Sequence, residues 1–195
     1  MNIHGKNLKG FTMVETLVSL VIFGFISVVL VNIFVSALKS QVRILQNQQL
    51  MEQSSYVMEY MGKIVRMTKK DTAGTCTQVP NTNYGVGQSG EISLSFLAYD
   101  SAASAYKCRK FMLQNGAMME LRSTDETWQN LGTATPITSS KVNITGTTFW
   151  VNGDITTAQP RVTIMIKMQS NVTTADAPNM TIQTTVSERQ LNAIN

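Results

Sequence analysis

Between Phe11 and Leu38 the chain runs for 28 residues with a single ionisable side chain, Glu15, and 20 of those residues are apolar. As a helix this run measures about 42 Å at 1.5 Å per residue, more than the roughly 30 Å hydrocarbon core of a bilayer. A short basic stretch, MNIHGKNLKG, precedes it. Lys6 and Lys9 there place the N-terminus in the cytoplasm by the positive-inside rule, and the bulk of the chain outside. An ordinary secretory signal has an apolar core of about 7–15 residues and then a small-x-small cleavage site. Here the core is longer, and Ser36-Ala37-Leu38-Lys39-Ser40 is a poor match for that site. Glu15 is the feature a plain anchor does not need. A carboxylate at depth costs a few kcal/mol and usually marks a function with a partner; the blander reading places it at headgroup level.

Composition removes several classes of function. His4 is the only histidine of the 195 residues, so imidazole-dependent triads and His-bearing zinc sites are not available to the rest of the chain. Residues 71–195 hold eight Lys+Arg and nine Asp+Glu, a net of −1. The positive excess lies at Lys6, Lys9 and residues 39–70, which argues against a nucleic-acid face on the globular part. Cys76 and Cys108 are too few for a bridged framework or a four-thiolate site. They permit one disulfide, which the assigned compartment favours; the alternative is two unpaired thiols.

The N-terminal residues carry a resemblance. Lys9-Gly10-Phe11-Thr12-Met13-Val14-Glu15-Thr16-Leu17-Val18, followed by the apolar run, resembles the class III leader of type IV prepilins and pseudopilins. The resemblance implies that residues 1–10 are a leader with basic Lys6 and Lys9, cut by a prepilin peptidase after Gly10. Phe11 then becomes the N-methylated first residue, and Glu15 the carboxylate that serves assembly. Removal of the leader creates a positive α-amine, which the Glu15 of a neighbouring subunit could meet where neither charge is well hydrated. Such a head-to-tail contact does not close on itself, as a filament requires. The implied partners are the prepilin peptidase, other pilin or pseudopilin subunits, an inner-membrane assembly platform and membrane lipid. A more diffuse resemblance to PilW-type minor pilins and J-type pseudopilins of type II secretion rests on Trp128 and Pro136, Phe149-Trp150, Pro160-Arg161 and Gln183–Arg189. Many major pilins kink the membrane half of the helix with a proline; here the first proline is Pro80.

With no earlier proline, one helix is expected from Phe11 to about Thr68, its membrane half at 11–38 and an amphipathic half at 39–70. In the second half Leu50, Met51, Val57, Met58, Met61, Ile64 and Val65 fall within an arc of roughly 140°. Glu52, Glu59, Lys63 and Arg66 lie opposite. Residues 71–195 read as an antiparallel β domain after a loop at 72–90. Expected strands are Ile92–Tyr99, Tyr106–Leu113, Met118–Arg122, Val142–Thr145, Thr147–Val151, Arg161–Met168 and Met180–Val186. Asn115-Gly116 is the favoured dipeptide of a tight hairpin. The fold class is therefore α+β, type IV pilin-like, a long helix packed on antiparallel sheet.

No constellation for catalysis or for a cofactor stands out. Asp100, Asp125, Glu126, Asp154 and Asp176 are scattered and lack calcium-loop spacing, and Gly85-Val86-Gly87 lacks the flanks of a phosphate loop. No metal site is expected. Asn143, Asn171 and Asn179 open glycosylation triplets by pattern, which arise readily in a Thr-rich chain. The expectation is a non-enzymatic subunit of a pilus, type II secretion or competence-like filament. It would be a single-pass protein with a cytoplasmic N-terminus, built into an envelope filament after processing. The alternative is a single-pass anchored binding or adhesin module.

Overall fold

A computed structural model describes residues 10–87, 92–153, 159–172 and 177–188. They fall into two compact units, divided between Leu45 and Gln46. One helix, α1 (Met13–Arg66), contributes to both.

In the first unit α1 opens at Thr12, whose carbonyl accepts the amides of Glu15 and Thr16 at 3.1 and 3.2 Å. The Thr12 hydroxyl also accepts the Glu15 amide at 3.4 Å, so Thr12 caps the helix. The large apolar side chains from Phe11 to Leu38 are all exposed, from 43% at Val35 to 84% at Met13. Hydroxyls within this stretch turn back on the helix. Thr16 donates to the Met13 carbonyl, Ser19 to Glu15 and Ser27 to Phe23, at 2.8, 2.7 and 2.8 Å. Each of these three hydroxyls is thereby satisfied without water.

In the second unit the remaining turns of α1 bury Leu50, Ser54, Val57, Met61, Gly62, Ile64 and Val65. The stripe is narrower than the sequence arc suggested. Met51 lies on its flank and is exposed, while the small Ser54 takes the central position one turn after Leu50. The helix ends two residues before Thr68, where the Thr68 hydroxyl bonds the Val65 carbonyl at 3.0 Å and the chain turns into a strand. Lys63 and Arg66 occupy the last turn, where cations complement the helix dipole.

Two antiparallel sheets follow. The first comprises β1 (Thr68–Lys69), β2 (Tyr84–Val86), β3 (Ser93–Asp100), β4 (Ala105–Gln114), β5 (Ala117–Arg122) and β6 (Thr135–Pro136). β1 and β2 pair with successive parts of one edge of β3, and β4, β5 and β6 continue from its other edge. The second sheet is β7 (Val142–Asn152), β8 (Arg161–Ser170) and β9 (Asn179–Ser187), in that order. One apolar core joins the α1 face to both sheets, through Leu94, Phe96, Phe111 and Met118 on one and Phe149, Val162, Ile164, Ile166 and Val186 on the other.

The strands expected at 142–145 and 147–151 are one strand, with a register break between Ile144 and Gly146 where it pairs with β8. β1, β2 and β6 were not expected. At two or three residues each they are too short to show a period of two, and β2 lies within the segment expected to be a loop. Asn115 and Gly116 both have positive φ, 51° and 73°, as a type I′ hairpin between β4 and β5 requires.

Candidate functional site

The sequence singled out Gly10, Phe11 and Glu15. Gly10 and Phe11 are exposed and precede the first helical turn. Glu15 sits in that turn, where a carboxylate also suits the positive end of the helix dipole. Its backbone amide is used by the Thr12 cap, whereas no described residue pairs with its carboxylate. Thr12-x-x-Glu15 matches the capping-box spacing, a signal the sequence reading passed over. Lys6 and Lys9 lie outside the described residues. Nineteen large apolar side chains from Phe11 to Leu38 face outward, far beyond the few hundred Å² of apolar patch that a soluble monomer ordinarily shows. Such a segment has to be covered by lipid or by protein.

Cys76 and Cys108 are joined in a disulfide, with Cα atoms 5.2 Å apart across 32 residues of sequence. Both are fully buried on the outer face of the first sheet, with Leu97, Tyr106 and Trp128. Asp71 places Cys76 there. Its two carboxylate oxygens accept the amides of Gly74, Thr75, Cys76 and Thr77, at 2.9, 3.3, 2.7 and 3.0 Å, and the Thr77 hydroxyl at 3.1 Å. Burial alone would raise the Asp71 pKa, but the bonds from Thr77, Cys76 and Gly74 outweigh it and hold the carboxyl below its ordinary value. The wrapped loop lies so close to β2 that a Cβ on Gly85 would meet the Thr77 carbonyl oxygen at 2.2 Å. Trp128 closes the same face, its indole N–H donating to the Cys76 carbonyl at 2.8 Å. Asp125 uses its carboxylate within its own loop, on the Thr127 amide and hydroxyl and the Asn130 amide group, at 2.9, 2.8 and 2.7 Å.

On the face toward α1 a second polar cluster sits among apolar side chains. Glu120 of β5 lies opposite Phe111 of β4 and is 1% exposed. It accepts Arg109 at 3.1 Å, Arg122 at 2.8 Å and the Tyr60 hydroxyl of α1 at 2.6 Å. Arg109 also pairs with Asp100 at 3.3 Å, and Arg122 donates to the Tyr60 oxygen at 2.6 Å. The four charges balance, and the network ties the helix to three strands. Burial, then the bond to Glu120, pushes the Tyr60 hydroxyl up; the Glu120 hydrogen bond holds the Arg122 guanidinium further above its ordinary value. Asp100, read as one of several scattered carboxylates, belongs to this network. Glu120 itself was missed, although a lone Glu at an inward strand position is a legible sign of a buried pair.

Residues 5–31 match the family model of the prokaryotic N-terminal methylation motif. The matched segment holds Gly10, Phe11 and Glu15 together with most of the apolar run. No curated protein and no solved structure matches the chain. The N-terminus is thus a class III leader of the type IV pilin kind, a class of structural proteins, and it continues into an α+β fold of pilin-like layout. A leader of this kind implies processing by a prepilin peptidase and assembly with other pilins, and its apolar helix is consistent with a single-pass anchor.

Proposed function

We propose that the chain is a minor pilin or pseudopilin, a non-catalytic subunit of an envelope-spanning filament of the pilus, type II secretion or competence kind. The reading is carried by the methylation motif at residues 5–31, set on a helix whose apolar side chains are exposed on every side. Residues 1–10 are its leader, 11–38 its membrane and assembly segment, 39–70 the amphipathic half of the helix, and 71–195 the extracytoplasmic domain.

In this scheme the prepilin peptidase cuts between Gly10 and Phe11, and the new Phe11 amine is methylated. While the subunit waits in the membrane, lipid covers the apolar run, and the inner-membrane platform extracts it into the filament. Neighbouring helices then replace lipid. The Glu15 carboxylate, which no described residue engages, pairs with the Phe11 amine of an adjacent subunit. A Glu unpaired in that setting is costly, so the pair fixes the axial position of one subunit on the next. N-terminal mass spectrometry of membrane-extracted protein tests the reading. A methylated chain starting at Phe11 is expected; a chain still starting at Met1 overturns it in favour of the anchored binding module.

A further inference from the structure

Among the described residues, the outward side chains of the second sheet are exposed or half-buried along all three strands. Along β8 the alternate residues Val162, Ile164, Ile166 and Met168 are fully buried in the core, so Arg161, Thr163, Met165 and Lys167 point away from it. In register beside them stand Trp150 and Thr148 of β7 and Thr185 and Gln183 of β9. Trp150 is 44% exposed and, among the described residues, is the only aromatic side chain on this face. It heads a cross-strand row with Thr163 and Thr185, whose hydroxyls bond each other at 2.9 Å.

Among the described residues the charge on this face has one sign. β7, β8 and β9 contain no Asp or Glu, and both of their cations, Arg161 and Lys167, are exposed on the outer side. Six residues apart on one strand, they stand about 20 Å from each other and bracket the Trp150 row. Apart from Met165, which adds a half-buried apolar side chain beside the Trp150 row, the remaining outward side chains are hydroxyls and amides, each able to both give and take hydrogen bonds.

We propose that this face binds an acidic polysaccharide, a chain of uronic-acid sugars laid along β8. The indole supplies a rigid apolar platform with an electron-rich face for the C–H side of a pyranose ring. Arg161 and Lys167 take sugar carboxylates on either side, and the Thr and Gln side chains meet ring hydroxyls. A protein partner would call for a larger apolar cluster than Trp150 and the half-buried Met165. Single-stranded nucleic acid would call for several rings on which successive bases stack. The inference does not depend on filament assembly, since the face is complete within one chain.

Tryptophan emission tests it, because the only other tryptophan, Trp128, packs on the first sheet. The full chain, held in a detergent without a sugar headgroup, is titrated with polygalacturonate, with dextran and with a single-stranded oligonucleotide. Saturable quenching by polygalacturonate is expected, weakened by salt and absent with dextran. Trp128→Phe should keep the response. Arg161→Gln with Lys167→Gln should weaken binding about tenfold or more. Trp150→Ala, an exposed substitution that leaves the core intact, should weaken it about thirtyfold when read by co-sedimentation. Equal binding of dextran, tighter binding of the oligonucleotide, no binding of polygalacturonate, or unchanged binding by Trp150→Ala would each overturn the proposal.

Discussion

Replacing Asp71 by alanine should cost the second unit about 3–5 kcal/mol, more than an ordinary surface change. The carboxylate is 2% exposed and accepts four backbone amides and one hydroxyl. Cys76 and Thr77 are 0% and 2% exposed, so water does not readily replace it at their amides. Two buried amides left unpaired cost about 1–3 kcal/mol each, and the lost bonds to a charged acceptor add to that. The disulfide limits the damage. It closes a loop of 32 residues, which contributes about 4 kcal/mol in the chain-entropy model. Asp71 and the bridge restrain one segment, so their effects should be strongly non-additive. The assay is urea unfolding of the detergent-held chain in a Trp150→Phe background, where Trp128, bonded to the Cys76 carbonyl, reports the loop alone. pH gives an independent reading. Folding lowers the Asp71 pKa, so its stabilisation is complete above the unfolded value of about 3.9 and is lost as pH falls through the lower folded one. Asp71→Asn, which keeps one acceptor oxygen, should lose less than alanine and flatten this acid dependence. A loss below about 1 kcal/mol for Asp71→Ala, within the range of unremarkable surface changes, would refute the reasoning.

Gly10→Val should block leader removal, leaving a precursor that intact mass shows ten residues too long. Glu15→Ala should be inserted and cleaved normally yet be scarce in sheared filament fractions; normal recovery there would remove charge pairing from the assembly scheme. Glu120→Ala should destabilise the second unit by about 3–5 kcal/mol, because Arg109 stays buried with half its compensation gone. Tyr60→Phe, which removes only the hydroxyl, should cost about 1–2 kcal/mol in the same denaturant titration. Under denaturing, non-reducing conditions the exported protein should bind no maleimide, and prior reduction should expose two thiols per chain.

The N-terminal segment was legible because its signals are local. Phe11–Leu38 is apolar whatever it packs against, and Gly10, Phe11 and Glu15 lie close enough in sequence to be read as one motif. The long strands were legible for a similar reason: β8 alternates along its whole length, and Asn115-Gly116 states its turn in two residues. Tertiary structure decided what depends on residues far apart in the chain. Tyr60 and Glu120 are 60 positions apart, and only the packing of α1 on β5 makes them partners. β1 and β2 exist because the edge of β3 offers unpaired backbone groups, not because two or three residues favour extension by themselves. Asp71 is the acceptor around which the Cys76 loop is wound, a role that exists only once the amides of residues 74–77 are folded back onto it. Met51 and Ser54 make the same point within one turn of helix. Periodicity defined a broad apolar arc, but the shape of the sheets beneath chose which part of it to bury.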